Sequence, residues 1–398
     1  MLDPILQKKD EIEQKLNNYL LKGARRGFLL KRAATTSKEE VRSSMQAFLV
    51  KPSATSLTML LRNMFNSGVW VSKSTLELLF SLVRLVEQVN FDPSDEATIQ
   101  VLKSLKSGPS DANYNDSVIF KAILGERRYC HQNPGHSPLT TVDQCQVHLI
   151  LISGVFNEIF STAAFERGAN HLKEQGIIDF TKISVNGRKS SRHNAELIHQ
   201  QLLEIQKEFP DKKLWLLGYS KGGIDALHFL RSHSKQHSNI VGLSTIASPI
   251  MGTNHPNHRI IKFLTSFSKF KLYRAIDQGK DLFIQGLQNS LRSDIRHSWF
   301  FRNHEKLPKD IFYSALAFQS SWHESHIWMM LTKLLFQSKH PNDGVVDVQF
   351  AQFPSFFEAH NLGITEGHHL VGTRSSEYPQ EALLEALIIF LKYKNKIN

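Results

Sequence analysis

Leu214-Trp215-Leu216-Leu217-Gly218-Tyr219-Ser220-Lys221-Gly222-Gly223-Ile224-Asp225 joins an apolar run of strand length to a helix-like segment through a glycine-rich turn. The pattern is G-x-S-x-G, set between a buried strand and a helix. Small residues have a physical job at such a bend. A side chain raised on a sharp strand-to-helix turn sits in strained backbone geometry, and glycine on either side avoids the resulting clashes. The turn lifts the Ser220 hydroxyl clear of the sheet. It also places the backbone N–H of Lys221 at a helix N-terminus, where a developing oxyanion can be held. Ser220 is therefore the candidate nucleophile, and Gly218 and Gly222 form its elbow.

Working outward, the flanks alternate between strand-like and helix-like segments. Val147-His148-Leu149-Ile150-Leu151-Ile152 is a largely apolar run, as expected of a parallel strand buried on both faces. A helix is predicted over Ser161–Gln175, a short strand near Ile183-Ser184-Val185, and a helix over Asn194–Phe209. Strands follow at Leu214–Leu217 and Ile240–Ala247, then Ile311–Phe318 and Phe357–Ile364, with a closing amphipathic helix at Gln380–Lys394. This alternation predicts a doubly wound, mostly parallel α/β sheet.

Upstream the texture differs. Leu2–Leu21, Thr55–Phe65 and Ser74–Val89 carry apolar residues at helical spacing, and Ser37 with Glu40 forms a capping-box pattern. Ser107–Ser117 and Cys130–Val142 are polar and turn-rich. The expected division is a helical region over 1–142 and a catalytic domain over 143–398.

The 398 residues are 41% hydrophobic and 21% charged, a globular balance. A formal charge of +11 favours an anionic partner. No zinc-finger spacing, RNA-binding sheet signature or basic zipper pattern is found. Nucleic acid is therefore not the expected partner, and an anionic membrane surface is. Cys130 and Cys145 are too few for a disulfide-stapled scaffold. The charged N-terminus lacks a secretory leader pattern, and no apolar run reaches membrane-spanning length, so a cytoplasmic, peripherally membrane-bound protein is expected.

The segment from Gln146 onward resembles the α/β-hydrolase superfamily, specifically its lipase and esterase members. Beyond the Ser220 motif, the resemblance rests on Ser153-Gly154-Val155-Phe156, Gly187–Ala195 and Ala247-Ser248-Pro249-Ile250-Met251-Gly252-Thr253. It implies a Ser-acid-His order along the chain. Asp343, in Asn342-Asp343-Gly344, is the implied acid, with Asp347 and Asp225 as weaker alternatives. His369, in Gly367-His368-His369-Leu370, is the implied base, with His368 as competitor. Val155 and Lys221 are the implied oxyanion donors. A Ser-Lys dyad using Lys221 is disfavoured, because adjacent side chains on the elbow point apart.

The resemblance also implies a lid insertion over about 253–310. Phe263, Phe267 and Phe270 recur there at helical spacing among Lys262, Lys269, Lys271 and Arg274, followed by Ile284, Leu287, Leu291 and Ile295, then Trp299, Phe300 and Phe301. Such a basic, amphipathic segment suits an anionic bilayer, an acyl-chain pocket or plain packing on the core. His255, His258, His297, His323 and His326 show no compact ligand spacing, so no metal and no cofactor is expected. The expected reaction is lipase- or phospholipase-like hydrolysis of a lipid carboxylic ester. Acyl transfer or thioester cleavage by the same serine, and non-enzymatic lipid or protein binding, remain open. A similarity to lipase-like bacterial effector proteins implies export independent of a signal peptide.

Overall fold

A computed structural model of the chain describes residues 91–107, 114–154, 164–253, 290–320 and 340–397, without 188, 374, 375 and 377, together with residue 43. The helices expected at Leu2–Leu21, Thr55–Phe65 and Ser74–Val89, and the insert over 254–289, lie outside the described residues.

In chain order the elements are α1 (Glu96–Ser104), α2 (Asp116–Gln132), β1 (Val147–Ile152), α3 (Glu166–Glu174), β2 (Asp179–Ile183), α4 (Ser191–Glu208) and β3 (Lys213–Tyr219). They continue with α5 (Lys221–His233), β4 (Ile240–Ile246), α6 (Ser293–Asn303), β5 (Phe312–Gln319), β6 (His360–Glu366) and α7 (Gln380–Tyr393). The six strands form one sheet in the order β2-β1-β3-β4-β5-β6, and every neighbouring pair is parallel.

The apolar strands are explained by the two cores they separate. Leu149 and Leu151 of β1, with Trp215 and Leu217 of β3, face one core shared with α1, α2, α3 and α7. Ile150 and Ile152, with Leu214 and Leu216, face the other, shared with α4, α5 and α6. A strand whose side chains alternate between two dry faces is largely apolar, and β1 is buried at every position, its one polar residue, His148, meeting Thr181 Oγ1 at 2.7 Å. Each such Leu or Ile contributes about 1.5–3 kcal/mol by leaving water. The edge strand β2 carries Asp179, Thr181 and Lys182 and is fully buried only at Ile183.

The division of the chain differs from expectation. Helix α2 buries Ile119, Phe120, Ile123 and Leu124, with the Phe120 ring set edge-on to Phe390 of α7. The compact unit that holds the sheet accordingly begins at Gln88, not at residue 143. The expected loop at Cys130–Val142 also starts later, since α2 runs on to Gln132. Cys130 and Cys145 are both free thiols. Among the described residues no helix is long and apolar enough to cross a membrane.

Candidate active site

Strand β1 has β2 on one side and β3 on the other, so the strand order reverses between β1 and β3. At such a reversal the loops leaving the two strands diverge and open a crevice at the carboxyl ends, where ligands of open α/β sheets bind. Ser153 and Gly154 leave β1 there, and Ser220 leaves β3.

Ser220 adopts φ 53° and ψ −130°, a region that a residue with a Cβ rarely occupies. Two backbone bonds hold it: its N–H donates to the Ile246 carbonyl at 3.0 Å, and its carbonyl accepts from Gly223 N–H at 3.2 Å. The glycines around it are dictated by crowding. A Cβ on Gly222 would lie 2.2 Å from the Ile152 carbonyl oxygen, and one on Gly154 would lie 2.8 Å from the Lys221 nitrogen. The loop after β1 thus closes directly onto the turn. The strain has a measurable consequence. Ser220→Gly should be more stable than Ser220→Ala by about 1 kcal/mol, since relief of 1–3 kcal/mol of strain exceeds glycine's entropic cost of 0.5–1 kcal/mol. Urea midpoints of the two variants test this, and a more stable alanine variant would contradict it.

His369 Nε2 lies 2.8 Å from Ser220 Oγ, and its Nδ1 lies 2.7 Å from Asp343 Oδ2. The other Asp343 oxygen accepts from Val345 and Val346 N–H at 2.9 and 2.8 Å. Asp343 is thereby fixed by its own turn, and its carbonyl accepts the His369 backbone N–H at 2.8 Å. With Nδ1–H donated to the carboxylate, Nε2 is left to accept the serine proton. The tautomer follows from this network. Tyr219 supports the histidine from below: its hydroxyl donates to the His369 carbonyl, and the two rings stack 5.8 Å apart. Burial raises the Tyr219 phenol well above its ordinary range, so it stays a donor.

The three residues come from β3, the turn at 342–346 and the loop after β6, and all are buried, with Ser220 5% exposed. His368, the competitor, instead accepts the Leu370 N–H on its Nδ1 at 3.1 Å. Asp347, the alternative acid, precedes a short 3-10 turn and its carbonyl accepts from Phe350. Lys221 opens α5, which puts its N–H at the positive end of that helix beside Ser220. Val155, the other expected oxyanion donor, lies outside the described residues, as do His255, His258, His323 and His326.

The Lys221 side chain turns away into the protein. Its Nζ lies 2.8 and 3.0 Å from the two Asp225 oxygens, both residues fully buried. Asp225 also accepts from Asn194 Nδ2 at 2.7 Å, and Asn194 in turn holds the Asn186 carbonyl at 2.8 Å. This network braces the base of α5 against the loop before α4. Nearby, burial lowers the Arg296 guanidinium to about 9, partly offset by Asp225. Burial first, and Arg296 second, push the His228 imidazole down to about 2, so it remains neutral. The i, i+4 spacing of Lys221 and Asp225 is visible in the sequence, but their joint burial is not.

No protein-family model matches the chain, and no curated protein sequence matches it. Among solved structures, a carboxyl esterase of metagenomic origin superimposes with a TM-score of 0.54 at 20% identity, covering 65% of this chain and 80% of its own. The mature lipase of Bacillus licheniformis matches with a TM-score of 0.45 at 18% identity, over 63% of this chain and 96% of its own. With the first of these likenesses and the parallel sheet order, the chain has the α/β-hydrolase fold.

Proposed function

We propose that the chain is a serine hydrolase that cleaves the carboxylic ester of a lipid. The observation that carries this is the hydrogen-bonded line from Asp343 through His369 to Ser220, on a strained turn at the switch point of the sheet. In this reading His369 Nε2 takes the Ser220 proton as Oγ attacks the ester carbonyl. Asp343 holds the ring in the needed tautomer and stabilises the imidazolium. The N–H groups of Lys221 and Val155 hold the tetrahedral oxyanion, each worth about 3 kcal/mol. The imidazolium then protonates the departing alcohol, leaving an acyl-Ser220 ester. Water, deprotonated by His369, attacks that ester and releases the fatty acid.

The lipid character of the substrate is supported by the sequence. The chain holds 26 Phe and a charge of +11, and Lys262–Arg274 interleaves Phe with Lys and Arg. That combination suits an anionic membrane surface as the place where substrate is met.

Purified wild type and Ser220→Ala, assayed on p-nitrophenyl esters of graded chain length and on anionic phospholipid vesicles, test the proposal. Expected is fatty-acid release by wild type alone, rising with chain length. Release of acyl groups only to an added alcohol would make the chain an acyltransferase. Vesicle binding without any turnover by wild type would make it a binding scaffold.

A further inference from the structure

Away from Ser220, three helices meet at one carboxylate. Glu385 of α7 is 2% exposed and is approached by His131 of α2 and His171 of α3. His171 Nε2 lies 2.7 Å from Glu385 Oε1, and His131 Nε2 lies 2.9 Å from Oε2. Arg127, one turn before His131, donates its Nε to the same Oε2 at 2.8 Å. The two nitrogens and the carboxylate oxygen offered by this trio all lie within 4.8 Å of one another. It is the one such group of His, Cys, Asp and Glu among the described residues.

An ordinary ion pair does not require this arrangement. Arg127 alone neutralises Glu385, and two further imidazoles, their rings 5.3 Å apart, are aimed at the same anion by their Nε2 atoms. Two imidazoles and one carboxylate are the ligands that a borderline-soft divalent ion selects, and a His2Glu set leaves a fourth position for water. We propose that His131, His171 and Glu385 form a zinc site that ties α2 to α3 and α7.

The geometry needs little change. Zinc bonds of 2.0–2.1 Å at tetrahedral angles separate ligand atoms by about 3.3 Å. The 2.7 Å between His171 Nε2 and Glu385 Oε1 would therefore open by about half an ångström, and His131 Nε2, now 2.9 Å from Oε2, would turn toward an ion at Oε1, the trio's ligand atoms already lying within 4.8 Å of one another. Glu385 would bind through Oε1, while Arg127 keeps Oε2 and fixes the carboxylate's orientation, the usual work of an outer hydrogen bond around a metal. The His131 side chain is 25% exposed, so water can reach the fourth position. Its ligands come from three helices, and it takes no part in the chemistry proposed at Ser220. Ligands at 131, 171 and 385 have no local spacing, which is why the sequence does not disclose them.

The test uses the full chain, stripped with a chelator and titrated with zinc chloride against a chromophoric competitor. One tight equivalent per chain is expected. His131→Gln and His171→Gln keep a side-chain amide that can donate to Glu385 but remove a good zinc ligand. Each should weaken binding at least tenfold while the circular dichroism spectrum is unchanged. X-ray absorption of zinc-loaded wild type, which does not depend on any variant folding, should show two imidazoles in an all-nitrogen-and-oxygen shell. No tight equivalent, undiminished binding in both variants, or a shell without two imidazoles would overturn the site.

Discussion

Ser220→Ala and His369→Ala should each lower kcat for ester hydrolysis by roughly 10^6, and the double variant should fall no further. The reason is the hydrogen bond of 2.8 Å between Oγ and Nε2: neither group works without the other. Residues that act as one unit do not lose rate additively. What survives is the contribution of binding and of the backbone N–H donors, which alanine leaves in place. Asp343→Asn should cost about 10^4, because an amide nitrogen facing Nδ1 favours the wrong imidazole tautomer. Its Oδ1 can still accept from Val345 and Val346, so the turn should persist. Initial-rate kinetics on a soluble ester check all four proteins. Losses that multiply in the double variant would mean that Ser220 and His369 act independently.

The second large effect falls on stability. Lys221→Met should destabilise the fold by about 3–5 kcal/mol, because Asp225 is then left fully buried without its cation. Asn194 still donates one hydrogen bond to Asp225, but an amide does not neutralise a carboxylate. A domain of ordinary stability holds about 5–15 kcal/mol in total, so much of the margin would go. Lys221→Met/Asp225→Leu should recover most of the loss, since removing both charges removes the desolvation penalty. Denaturant unfolding of the two variants decides this. The folded fraction of Lys221→Met should retain turnover, because the proposed oxyanion donor is the backbone N–H. Loss of rate without loss of fold would instead favour the Ser-Lys dyad.

The strand–turn–helix around Ser220 was legible because three signals coincide there: an apolar strand, a glycine pattern and a helix. The edge elements were less so. The strand expected near Ile183–Val185 runs instead from Asp179 to Ile183, since an edge strand tolerates Asp179, Thr181 and Lys182 and blurs the apolar signal. The apolar pattern places the start of the last strand at Phe357, yet β6 begins at His360. The Phe357 ring packs edge-on against Phe300, 5.2 Å away, filling the core from a loop. The domain boundary was misplaced because turn-rich segments flank α2, whereas its burial against α7 depends on residues some 260 positions later. The resemblance already prefers His369 to His368; what no local pattern encodes is the bond from the His369 N–H to the Asp343 carbonyl. Asp343 was legible through the resemblance, which implies an acid at a turn after a strand; its side chain accepts from Val345 and Val346 N–H in that turn.

The most direct test of Ser220 as nucleophile is covalent capture. Wild type, His369→Ala and Ser220→Ala are treated with a fluorophosphonate, digested and mapped by mass spectrometry. A single adduct on the peptide containing Ser220 is expected in wild type, with labelling at least a hundredfold slower in His369→Ala and absent at that position in Ser220→Ala. Equal labelling of wild type and His369→Ala, or an adduct on another residue that persists in Ser220→Ala, would contradict the account.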